Sequence, residues 1–202
     1  ENADEARKLV QIGDFAVYEA PRFEQNGVLC GPYLDNRIGC VTLLLMMEQL
    51  AEAETENDLY FVFTAQEEVG LRGAGAAAFA VEPDVAIAVD VTDTGDLPEM
   101  KSAMAVELGK GPAVKVMDRS VICTPAVVDA LEQAAKDCGV SAQREILLCG
   151  GTDTSALQKA RAGVQAGAVS IPTRYIHSPS ELCAVSDVED AAKLLTQYAL
   201  QK

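Results

Sequence analysis

Residues 59–92 read LYFVFTAQEEVGLRGAGAAAFAVEPDVAIAVDVT. Residues 59–64, rich in aromatic and β-branched side chains, predict a buried strand. The small residues at 71–79 predict a helix, and the apolar run 85–89 predicts a second buried strand ending on Asp90. A strand, a helix and another buried strand form the rhythm of an α/β layered fold with a mixed, mostly parallel sheet.

The same rhythm extends outward. Residues 14–19 and 28–33 read as strands joined through Gln25-Asn26-Gly27, an Asn-Gly hairpin signal. A helix is expected over 38–53, entered through Asp35 and Asn36, which are both good cap residues. Beyond Asp90, strands are expected at 113–117, 145–148 and 163–171. A helix with proline in its first turn is expected at 124–138, and a closing amphipathic helix at 188–199. No repeat, linker or low-complexity tract interrupts the pattern.

Composition narrows the function. The 202 residues suffice for one domain with a proper core, and 49% hydrophobic content without tryptophan suits an aliphatic one. No apolar run reaches the ~18 residues of a membrane span, so no membrane partner is expected. Net charge is −15, from 31 acidic and 16 basic residues, and such a surface repels nucleic acid. ENADEARKLV lacks the basic-then-apolar order of a signal peptide. The six cysteines show no CxxC spacing and read as reduced, mostly buried small hydrophobes. A cytoplasmic location is the corresponding expectation.

The chemistry resides in polar residues at the edges of apolar runs: Asp35 in LDNR, Glu67 and Glu68 in QEEVG, Asp90 in AVDVT and His177 in YIHSP. Carboxylates with one imidazole suit a hydrolytic metal site, where oxygen and nitrogen ligands hold ions and a further carboxylate moves protons. Each residue also has a plainer reading. Asp35 can be a helix cap, Asp90 a turn aspartate, and the glutamates solvated acids ahead of a helix. His177, the single histidine of the chain, can be structural or exposed. If Glu67 and Glu68 lie on an extended stretch, they point to opposite sides, so one can ligate while the other serves as acid or base. Gly150-Gly151-Thr152-Asp153 lacks the lysine and spacing of a P-loop and reads as a close backbone approach beside the site.

The segments GDFAVYE, LDNRIGC, FTAQEEVGLRGA, AVDVT, DRS, GGTDTSA and IPTRYIHSPSE run in this order from about Gly13 to the C-terminus. Together they resemble the M42 metallo-aminopeptidases, a family of glutamyl and deblocking aminopeptidases with some endoglucanase-named relatives. The resemblance implies a three-layer αβα core over residues 34–202, incomplete here. Residues 1–33 are then the tail of an inserted β-rich domain and its return strand. It implies two divalent ions, zinc or cobalt, with Asp35 bridging them. Glu68 and His177 complete one ion's ligands, Asp90 belongs to the other, and Glu67 is the general base. Peptides with free N-termini are the implied substrates.

The family carries a further histidine in a His-x-Asp segment that this chain lacks. One well-held ion, little activity of this form and a weakened homo-oligomer are therefore expected. Two other readings stand beside this one: a non-catalytic metal-binding or interaction remnant, and an endoglucanase-type glycosidase. The glycosidase fits less well, because its paired carboxylates must lie roughly 5 Å or more apart across a sugar.

Overall fold

The computed structural model describes residues 2–98 and 104–201. After a short helix, α1 (Ala3–Leu9), the chain forms a hairpin of β1 (Phe23–Gln25) and β2 (Val28–Gly31). Asn26 and Gly27 between them both have positive φ, as a two-residue hairpin turn requires. The turn thus sits where the sequence places it. The strand expected at 14–19 does not form, and 23–25 takes its place beside β2.

Helix α2 (Leu34–Leu50) starts earlier than expected, and α3 (Arg72–Val81) precedes β3 (Val85–Thr92). Then come β4 (Ala113–Met117), α4 (Pro125–Asp137), β5 (Gln143–Ile146) and α5 (Thr154–Gln158). The chain closes with β6 (Gln165–Arg174), β7 (Glu181–Ala184) and α6 (Val185–Ala199). Helices α1 and α5 and strand β7 are additions to the sequence reading.

The seven strands form one mixed sheet in the order β1-β2-β7-β6-β4-β5, with β3 paired to β6. Helices flank it, so the expected α/β class holds. The sheet is less parallel than expected, however. Among the described residues β3–β6 and β4–β5 pair in parallel, whereas β1–β2, β2–β7, β6–β7 and β4–β6 are antiparallel. Of the antiparallel pairs only β1–β2 and β6–β7 are neighbours in sequence; β2–β7 and β4–β6 pair across long stretches of chain, and local apolarity carries no signal of strand direction.

The expected strand at 59–64 is absent as a ladder element. Tyr60 and Phe63 are exposed, and among the described residues no backbone hydrogen bond joins 59–64 to a neighbouring strand. Phe61 alone packs toward the core. High β-propensity describes fitness for a pleated surface and cannot supply a partner.

The core lies between the sheet and α2, α4 and α6. Helix α4 buries Val127, Val128, Leu131, Ala134 and Ala135 at helical spacing, and α6 buries Val188, Ala191, Leu194 and Leu195. These meet Val114, Val169 and Ile171 from the strands. Each fully buried aliphatic side chain contributes about 1.5–3 kcal/mol.

One charged network crosses this core. Lys115 of β4, fully buried, pairs with Glu145 of β5 and lies 3.6 Å from Asp118. The Thr92 hydroxyl donates to Glu145 at 2.9 Å, which ties the end of β3 to β4 and β5.

Candidate metal centre

Asp35 and Asn36 open α2, and the structure separates their roles. Asn36 Oδ1 accepts from the Gly39 amide at 3.1 Å, and its Nδ2 donates to the Val89 carbonyl at 2.8 Å. Asn36 therefore caps the helix and pins it to β3, which frees the Asp35 carboxylate for other work. Gly39 has no substitute here. A Cβ would fall on Asn36 Oδ1 and lie 2.8 Å from the Val89 carbonyl oxygen.

The Asp35 carboxylate lies 3.0 Å from His177 Nε2, and Glu68 lies 3.3 Å from the same nitrogen. Among the described residues, Asp35, Glu68 and His177 form the one cluster whose ligand atoms all lie within 4.8 Å of one another. Ligands about 2.1 Å from an ion at tetrahedral angles are ~3.4 Å apart. The observed spacings of 3.0 and 3.3 Å match that geometry closely, so one nitrogen and two carboxylates fit a divalent ion.

Glu67 and Glu68 lie on a turn and not on an extended stretch, since the Gly70 and Leu71 amides both donate to the Glu67 carbonyl. The glutamates still diverge. Glu68 is exposed and faces His177, while Glu67 is half-buried in the same recess. Asp90 lies within β3, which runs two residues past the end expected for it, to Thr92; it is 7% exposed and lines that recess outside the three-ligand cluster. Its Oδ1 accepts from the Val91 amide at 2.9 Å.

A residue that sequence reasoning missed holds this arrangement. Glu181, at the start of β7 and 2% exposed, accepts the Asp35 amide at 3.0 Å and the His177 amide at 2.9 Å, one on each carboxylate oxygen. Its signal in the sequence is only its place in PSEL, four residues beyond His177. Left-handed backbone surrounds the centre: Tyr33, Gln66, Tyr175 and His177 all have φ near +60°. Each costs about 1 kcal/mol or more, the kind of strain that gathers where geometry serves function.

The electrostatics follow from crowding acids in a partly dry recess. Burial, then Glu68, raises Asp35 to about 6 against the pull of His177. Burial, then Glu68 and Asp153, raises Glu67 to about 7. Burial pushes Asp90 well above its ordinary value despite its backbone hydrogen bond. Burial opposes charge on His177, but Glu68 and Asp35 outweigh it and raise its pKa. Acids that resist ionising in this way are relieved by a bound cation.

The far wall is the loop at 147–152. Gly151 lies against Ser120, whose Oγ would be 2.6 Å from a Cβ at that position. Asp153, next in sequence, accepts from Thr64 Oγ1 at 2.6 Å and so ties this wall to the stretch leading to Glu67.

Comparison with known proteins bears on the family and the fold. The sequence profile of the M42 glutamyl aminopeptidase family matches residues 1–194. A protein of Acetivibrio thermocellus that carries an aminopeptidase name is 48% identical over 194 residues, covering 96% of this chain and 58% of its own length. Aminopeptidase APDkam598 of the archaeon Desulfurococcus kamchatkensis superposes with a TM-score of 0.93 at 35% identity, over 99% of this chain and 57% of that one. The TET1 peptidase of Pyrococcus horikoshii, described as assembling into a tetrahedron or a large octahedral shell, superposes at 0.85 with 34% identity, over 98% of this chain and 58% of that one. The chain thus spans somewhat more than half the length of these relatives.

Proposed function

The chain belongs to the M42 glutamyl aminopeptidase family, and on that premise we propose that it carries the catalytic core of a metal-dependent aminopeptidase acting on peptide N-termini. The observation that carries the reading is the meeting of Asp35, Glu68 and His177 within 4.8 Å, beside a half-buried Glu67. In the proposed assignment Glu68 and His177 serve one ion, Asp90 a second, and Asp35 bridges both. When bound, the ions supply a Lewis acid that polarises the scissile carbonyl and activates water.

The protein's own part is proton handling and alignment. In this assignment Glu67, half-buried beside the ligands, takes a proton from the attacking water and returns it to the departing amine nitrogen. Glu181 holds Asp35 and His177 in register through their amides, as outer partners of metal ligands do. The 202-residue chain itself holds one ion well and turns over little, because the second position has only Asp35 and Asp90 from this chain.

Self-association is part of the proposal. Ile12, Phe15, Val17 and Tyr18 are strongly exposed, and so are Leu44 and Met47 on α2. Apolar surface of that kind marks contact sites.

The deciding experiment measures zinc per chain after dialysis against limiting zinc, alongside metal-dependent release of N-terminal residues from peptides. One tightly held ion per chain, with release by the complete polypeptide, is the expected result. No metal-dependent release by the complete polypeptide would leave a metal-binding remnant and sink the catalytic reading.

A further inference from the structure

The recess beside the metal centre has a second half that the ligands do not use. Thr92, Asp93, Leu147 and Ile176 line it, within a cavity of about 120 Å³. That volume takes in the whole recess, the space at Asp35, Glu68, Asp90 and His177 included. No lysine or arginine lines it among the described residues. Asp93, just past the end of β3, is half-buried there and makes no hydrogen bond or ion pair with another described residue.

Charge decides what such a recess accepts. A cation held by Asp35, Glu68 and His177 sits within that cluster, whereas Asp93, three residues beyond Asp90, lines the recess outside it. Its charge stays uncompensated when the metals are bound. An acidic side chain entering the recess meets a like charge with no cation to offset it. A basic side chain finds the opposite: an aliphatic stem suits Leu147 and Ile176, and its charged head suits Asp93.

We propose that Asp93 makes this site select substrates whose N-terminal residue is basic, lysine or arginine, and reject those beginning with aspartate or glutamate. The inference rests on the aminopeptidase reading above. Asp93 acts as a specificity residue that touches the substrate side chain and takes no part in bond cleavage.

The test is calorimetric titration of the zinc-loaded 202-residue protein with the hydroxamates of lysine, leucine and glutamate, repeated with EDTA. Lysine hydroxamate is expected to bind roughly tenfold more tightly than glutamate hydroxamate, from one partly exposed charge pair together with the repulsion it replaces. In Asp93→Asn the ratio falls toward one, with zinc affinity within a few-fold of the unaltered protein. Zinc-dependent binding that is equal for lysine and glutamate overturns the selectivity and leaves the aminopeptidase reading standing. So does a lysine preference that Asp93→Asn does not move. Zinc-dependent binding of none of the three overturns that reading, and the inference falls with it.

Discussion

Replacing Glu181 by glutamine tests whether the metal centre is held from behind. The two carboxylate oxygens each accept one part-buried backbone N–H, from Asp35 and from His177, at 3.0 and 2.9 Å. Glutamine keeps one acceptor oxygen and turns an NH2 group toward the other amide. One part-buried N–H then loses its acceptor, which costs up to about 3 kcal/mol. For a chain of this size that lowers Tm by up to roughly 12 °C. The loss falls on the two segments that carry ligands, so zinc affinity is expected to drop about 10- to 100-fold, the usual penalty for removing a group that orients metal ligands. The assay is competition with a chromogenic zinc chelator, performed well below the melting transition. Val127→Ala, a core truncation on α4 that lowers Tm away from the site, provides the matched control. If Glu181→Gln melts lower but holds zinc within about twofold of the unaltered protein, Glu181 is merely structural and the reasoning is wrong.

Glu67→Gln is expected to keep bound zinc and abolish turnover by the complete polypeptide, whereas His177→Ala loses the zinc itself. Equal metal loss in the two, measured by elemental analysis, would refute the division of roles. The raised pKa values predict the pH dependence of the metal-free chain. Asp35 rises from 3.8 to about 6 and Glu67 from 4.5 to about 7, so the folded state holds these protons more tightly than the unfolded state does. Their contribution is complete below about pH 4 and is lost as pH climbs through 6 and 7. Thermal melts in EDTA should show this loss flattened in the double variant Asp35→Asn/Glu67→Gln, while zinc affinity in the unaltered protein rises between pH 5 and 7. Lys115→Met strands the buried carboxylates of Glu145 and Asp118, so unfolding in urea should show a loss of about 3–5 kcal/mol. A loss below about 1 kcal/mol would mean that the network contributes little.

Much of this protein is legible in its sequence because much of it is local. The Asn26-Gly27 turn, the proline-started helix α4 and the apolar strand running into Asp90 each follow from what neighbouring residues impose on the backbone. The motif order that carries the M42 resemblance is likewise a property of the chain read in one dimension. Other features need a partner distant in sequence. Residues 59–64 have every attribute of a strand except a ladder to join. The division of labour at the start of α2, with Asn36 capping and Asp35 facing His177, depends on contact with β3 and with a loop 142 residues away. Glu181 is invisible as a site residue until β7 brings it beneath both amides. Side-chain type and spacing determine what a segment can do, but a hydrogen bond or a ligand set exists only where the folded chain brings its members within about 3 Å of one another.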